Sequence, residues 1–208
     1  MMYKKLDLPK ILRSDSDIAY TPISPPYEIL EPDQILTEDI VELFRSIGLS
    51  AKYVVLFSNN NSRVSLDHRV IHTDVTLGPD GKWKKIIAGL NFELDEESTN
   101  EFIWLDMSAY REVLPDVLID RKFQLLNGIH YIERSARGIP AALLAVNSTI
   151  IDKTPTLVRT DVPHITKYDS YYPRVGVSIR FDETNVSSWD DIADRRSEEH
   201  TSELQSPC

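Results

Sequence analysis

The sequence predicts a mainly β fold, an antiparallel sandwich or barrel for which a jelly roll is a natural candidate. Three observations predict it. About seven short runs rich in β-branched and aromatic residues follow one another, with Gly, Pro, Asn and Asp clusters between them. Most gaps between the runs are too short for the crossover helix that a parallel pair needs. Helical periodicity is clear in one stretch only, near the N-terminus.

Residues 1–35 contain Pro9, Pro22, Pro25, Pro26 and Pro32, which predicts an extended N-terminal arm with short strands at most. The helix is expected in "LTEDIVELFRSIGLS". Thr37 can cap it, Glu38 and Asp39 suit its first turn, and Gly48 suits its stop. Ile40, Phe44 and Ile47 fall on one face. A single domain is expected over 36–181. Its strand signals begin with "KYVVLF" (52–57) and "HRVIHTDVTL" (68–77). The turn "GPDG" leads to "KWKKIIAGLNFEL" (82–94), and a polar acidic loop leads to "EFIWLDM" (101–107). Residues 108–140 mix helical and strand signals around Pro115 and Gly128 and are expected to be an insertion with some helix. Strand character returns in "AALLAVNSTII" (141–151), "TPTLVRTDVPH" (154–164) and "PRVGVSIRF" (173–181), then fades through a C-terminal segment, 182–195.

The end of the chain reads "RSEEHTSELQSPC". Arg196–Pro207 resembles the translation of a short sequencing adapter, which implies an appended, artefactual tail (196–208) and an origin in environmental, metagenomic sequence data. Setting aside Arg196, Glu198, Glu199 and Glu203 takes the net charge from −10 to about −8. Such a chain lacks the basic surplus that phosphate-backbone binding requires, so no nucleic-acid partner is expected. The only cysteine is Cys208, so the rest of the chain has neither a disulfide framework nor a thiolate metal site. No apolar run has the length of a secretory signal or a membrane span, and the expected location is cytoplasmic.

Two passages carry chemistry. In "RVIHTDVTL", His72 and Asp74 are two apart on an alternating run, so an imidazole and a carboxylate point to one side of a sheet. In "YYPRVGVSIRF", Arg174, Gly176, Ser178 and Arg180 share a face, and Val175, Val177, Ile179 and Phe181 form the other. The polar face must line solvent, a cavity or a ligand, because an unpaired buried guanidinium is costly. A third run, "TLVRTDVPH", places Thr156, Val158, Thr160, Val162 and His164 on one face and leaves His164 where a strand enters a loop.

With these residues the chain resembles the iron(II)- and 2-oxoglutarate-dependent oxygenases. "VRTDVPH" and "RVGVSIRF" are similar to phytanoyl-CoA-dioxygenase-type and uncharacterised microbial members. The likeness spans roughly residues 52–181. It implies a double-stranded β-helix of the jelly-roll or cupin-like kind with a few flanking helices. It further implies His72, Asp74 and His164 as iron(II) ligands, with 2-oxoglutarate and dioxygen as cosubstrates. Arg174, ten residues after His164, is implied as the residue holding the distal carboxylate of 2-oxoglutarate. Gly176 stands where the family often has a hydroxyl residue, and Ser178 is the available substitute. Arg180 faces the same way about 20 Å further along the strand, so the two arginines cannot share one small diacid. Asp74, in place of a small residue, favours hydroxylation over halogenation.

Other residues have simpler readings. His130 suits a loop or packing role, and His68, on the face of His72 and Asp74, suits solvent or the surroundings of the site. Trp83 and Trp104 are expected as core aromatics, whereas Tyr53, Lys84 and Asn91 are open candidates for contacts to cosubstrate or substrate. The substrate class, a small molecule or a peptide, is not specified. Two other readings share the fold: a cupin-like metalloprotein that does not use 2-oxoglutarate, and a non-enzymatic β-sandwich interaction module.

Overall fold

The computed structural model describes residues 1–14, 27–59, 71–77, 80–94, 99–106, 108, 118–124, 130–136, 141–168, 174–182 and 188–193. In part of these, Arg174 and the strand residues 118–124 and 130–136 among them, only the backbone is described. The strands, in chain order, are β1 (Tyr3–Lys5), β2 (Tyr27–Leu30), β3 (Ala51–Asn59), β4 (Ile71–Leu77), β5 (Trp83–Lys85), β6 (Ala88–Glu93) and β7 (Asn100–Leu105). They continue as β8 (Leu118–Gln124), β9 (His130–Ala136), β10 (Ala145–Ile151), β11 (Thr156–Arg159), β12 (His164–Tyr168) and β13 (Arg174–Phe181). Helices α1 (Pro32–Ile35) and α2 (Glu38–Ser46) precede β3, and α3 (Ala141–Leu144) precedes β10.

These strands form two antiparallel sheets. One runs β1-β11-β6-β13-β3-β2, the other β10-β7-β12-β4-β9-β8, with β5 added on β4. Four pairings are nested. β3 pairs with β13, β4 with β12, β6 with β11 and β7 with β10, so eight strands fold back on themselves in reverse order.

Register decides which side chains meet. Directly paired residues share a face, and Leu90 lies opposite both Leu157 and Ile179. Val54, Leu56, Leu90, Phe92, Leu157, Val177, Ile179 and Phe181 therefore form one apolar face of the first sheet. Ile40, Phe44 and Ile47 of α2 close over it, with Leu6, Ile11, Trp189 and Ile192 from the two ends of the chain. Phe44 meets Phe181 edge-to-face at 5.0 Å between ring centroids. The helix starts after Thr37 and stops at Gly48, which takes φ 75°, the left-handed conformation a helix stop uses. Thr37 does not cap the helix through its hydroxyl, which instead donates to the Lys10 carbonyl and ties down the N-terminal arm. The opposite face of the first sheet carries Tyr53, Gly89, Asn91, Ser178 and Arg180 and looks toward the second sheet. There Val158 packs with Phe102, Trp104 and Ile151.

The structure refines one expectation and corrects two. Within the segment expected to be an insertion with some helix, the described stretches 118–124 and 130–136 are strands: β8 and β9 pair with each other, and β9 lies along β4. β9 covers backbone groups of β4 that would otherwise form a free edge. The run 141–151 begins as α3 and becomes strand only at Ala145. The run 154–164 is two strands. Its chain leaves the first sheet after Arg159, and Thr160 turns its N–H to the Ile87 carbonyl and its carbonyl to the N–H of Asp74. His164 accordingly opens β12 in the second sheet and does not end β11. Among the described residues no helix is long and apolar enough to cross a membrane.

The apolar contact between α2 and the first sheet sets the stability of this half of the protein. Phe44→Ala is expected to lower unfolding stability by about 3–5 kcal/mol, as cavity-forming Phe→Ala changes do, read as a lower urea midpoint at an unchanged denaturant slope.

Candidate metal centre

His72 and Asp74 stand on the same face of β4, and β12 brings His164 directly opposite His72. One ligand atom from each of the three lies within 4.8 Å of the others. Asp74 Oδ1 is 3.7 Å from His72 Nε2 and 3.9 Å from His164 Nε2. The two imidazoles are tilted against each other with centroids 4.3 Å apart. His164 is 1% exposed and stacks on Phe102 at 4.7 Å, while His72 keeps part of its surface open. The cluster is walled by aromatic rings on one side and reachable from the other.

The backbone around Asp74 is fixed from two sides. Its N–H donates to Thr160 and its carbonyl accepts from Ile86, in the link between β5 and β6. The Thr160 hydroxyl, fully buried, donates to the carbonyl of that same Ile86 at 2.7 Å. The crossing of residues 160–163 from one sheet to the other thereby fixes the backbone of Asp74 and delivers the second imidazole. Beneath His164, Trp104 is fully buried and donates its indole N–H to Arg159, at the end of β11. Trp83 is only partly buried.

Charge states follow from surroundings. His164 Nδ1 is 2.9 Å from the Val162 carbonyl. A carbonyl only accepts, so Nδ1 carries the proton and Nε2 presents its lone pair to the cluster. Burial, reinforced by His72, pushes the His164 pKa down to about 3, so the ring is neutral near pH 7. Its Nε2 is buried with no hydrogen-bond partner. An orphaned lone pair is costly in a protein interior, and here it points at a neighbouring carboxylate and a second imidazole. Burial disfavours the Asp74 carboxylate, but Arg180 first, then His164 and His72, outweigh it and hold its pKa below the usual range. An ionised carboxylate, two imidazoles and one unsatisfied nitrogen make a donor set that can hold a metal ion.

Arg180 does not stand apart from this cluster. Its Nη2 lies 2.8 Å from Asp74 Oδ2. Its Nη1 donates to the Ser178 hydroxyl and, at 3.3 Å, to the Asn91 side-chain carbonyl, and Ser178 donates to that same carbonyl. The backbone of Arg174 lies at the opposite end of β13, paired with Asn59, and its side chain is outside the described residues. So is all of His68, and so is the side chain of His130, whose backbone pairs with Val75. Tyr53 pairs with Arg180 across β3, and burial pushes its hydroxyl up to about 12.

Two participants are not legible in the sequence. Between Arg180–Tyr53 and Phe181–Ala51 the β3–β13 register shifts by one, leaving Lys52 without a partner across the ladder. Lys52 Nζ then reaches Thr76 Oγ1 at 2.6 Å, on the face of β4 that carries His72 and Asp74. Gly89 is the second. A Cβ there would lie 2.0 Å from Arg180 Nη1, so the glycine makes room for the guanidinium. An isolated glycine inside a strand pattern is the kind of signal that marks such a close approach.

No protein-family model matches the chain, and no curated protein matches it significantly.

Replacing Asp74 by Asn leaves Arg180 buried beside a neutral amide. Breaking a buried pair on one side costs about 3–5 kcal/mol, so Asp74→Asn should lower the urea midpoint of the metal-free protein and abolish divalent-metal binding by calorimetric titration.

Proposed function

We propose that the chain is a non-heme iron(II)- and 2-oxoglutarate-dependent dioxygenase that hydroxylates a C–H bond of its substrate. The observation that carries this reading is the convergence of His72, Asp74 and His164, with the Nε2 of His164 buried and unpartnered. The strand order supports it. Nested pairing of β3·β13, β4·β12, β6·β11 and β7·β10 supports an eight-stranded jelly roll, in which strands fold back on themselves in this order. The three candidate ligands come from the second and seventh of those eight strands, in agreement with the family resemblance of the sequence.

When bound, iron(II) with 2-oxoglutarate and dioxygen supplies oxidation of the substrate coupled to decarboxylation of the keto acid. The protein's residues hold and shape the centre. His164, neutral and fixed by the Val162 carbonyl, offers Nε2, while His72 and Asp74 Oδ1 offer the other two donors. Phe102 and Trp104 keep water from the inner side. The open flank of His72, with Lys52 and Thr76 nearby, is where cosubstrate and substrate enter. Arg180 is engaged with Asp74, and Arg174, which the sequence resemblance implies for the distal carboxylate, stands six residues away on β13, about 20 Å at strand rise, too far to share a small diacid with this centre.

That engagement also favours a second reading, a cupin-like metalloprotein of the same fold that does not bind 2-oxoglutarate. Anaerobic titration with iron(II) and then 2-oxoglutarate separates the two. A weak visible charge-transfer band on adding the keto acid, absent in His72→Ala, and slow succinate formation in air are expected for the dioxygenase. Metal binding with no band on adding 2-oxoglutarate selects the second reading, and no metal binding leaves a non-enzymatic β-sandwich module.

A further inference from the structure

Asp74 divides its two oxygens between different neighbours. Oδ1 faces both histidine Nε2 atoms, at 3.7 and 3.9 Å, while Oδ2 faces Arg180 at 2.8 Å. From this geometry we infer that Arg180 is a positioning residue. It occupies one oxygen of Asp74 and turns the other to the metal, so that Asp74 ligates through Oδ1 alone. The inference rests on the metal-centre reading above and adds a role for Arg180 that the sequence resemblance did not assign.

The guanidinium is built into place. Its aligned N–H bonds go to Ser178 and Asn91, and Oδ2 is met by charge at close range without an aligned hydrogen bond. Swinging it toward an incoming ligand would break those bonds and strand a buried carboxylate. Arg180 itself is 8% exposed, and Gly89 beneath it is the one residue type that leaves room for Nη1. An arginine suits this position because its guanidinium is planar and carries several donors. One edge is anchored on neutral acceptors and the other faces the carboxylate.

A second consequence concerns charge. A divalent ion beside Asp74, Arg180 and two neutral imidazoles leaves the centre with about two net positive charges, by formal counting of ionised groups. Arg180 thus cancels the carboxylate's charge while keeping its lone pair, and the open side of the centre favours anionic ligands.

Titration with cobalt(II), followed by its visible absorption, tests the role without any turnover. The folded state of each variant is checked by thermal unfolding. Arg180→Gln is expected to weaken cobalt affinity by about 10–100-fold, the range for losing a partner of a metal ligand, and to alter the band shape as Asp74 becomes free to turn. Gly89→Ala, which changes no charge, should reproduce both effects by displacing the guanidinium, and it carries the test if Arg180→Gln does not fold. Arg180→Lys, which restores the charge but not the planar fork, should recover part of the affinity. Wild-type affinity and band shape in Arg180→Gln or Gly89→Ala would overturn the inference, as would a loss that Arg180→Lys leaves uncorrected, which marks a packing role. Failure of the unmodified protein to bind cobalt would overturn the metal-centre reading itself, and the inference with it.

Discussion

A carboxylate shielded from water has to be neutralised, protonated or ligated, and at Asp74 the protein supplies a guanidinium on one side and two imidazoles on the other. The rest of the structure is arranged around that requirement. Arg180 comes from the last strand of one sheet, Asp74 and His72 from an early strand of the other, and His164 from the strand beside it. Removing either Asp74 or Arg180 strands a buried charge. The pairing between sheets is therefore an electrostatic constraint on the fold as well as a feature of the centre.

The crossing at residues 160–163 is where fold and centre become one problem. Thr160 bonds to both flanks of the β5–β6 link and to Asp74. Four residues later His164 begins β12, with its Nδ1 tied to Val162. The chain must leave one sheet and join the other in this interval, and the Thr160 carbonyl freed by leaving the ladder is the one that holds the backbone of Asp74. Aromatic packing then limits the freedom of the imidazole: Phe102 stacks on its face and is itself packed against Trp104, which pairs with His164 across the ladder.

The two faces of β13 serve different ends with the same strand. Val177, Ile179 and Phe181 bind the first sheet to α2, while Ser178 and Arg180 serve the centre. A slip of one residue would exchange these sets, burying Arg180 against Phe44 and turning valines toward Asp74. The apolar packing of α2 thus fixes the register on which the polar face depends. The break in that register beside Lys52 is confined to the end of β3, where it changes the direction of one lysine and leaves the remaining pairs in step.

Much of this was legible in the amino-acid order because it follows from local periodicity. Alternation in "IHTDVTL" put His72 and Asp74 on one face, alternation in "RVGVSIRF" separated arginines from valines, and the capping pattern around Thr37 and Gly48 marked α2 within a residue or so. Period and capping are short-range properties, and neighbours in sequence suffice to express them. What the sequence left open depends on contacts between distant segments. Whether 154–164 was one strand or two turned on Thr160 meeting Ile86, Ile87 and Asp74; whether Arg180 faced a cosubstrate or a carboxylate turned on how β13 lies against β4; and the purpose of Gly89 appeared only when Arg180 lay across it. Side-chain direction within a strand is a local fact, but the identity of the group it meets is decided by sheet order and register, and these arise only when the whole chain packs.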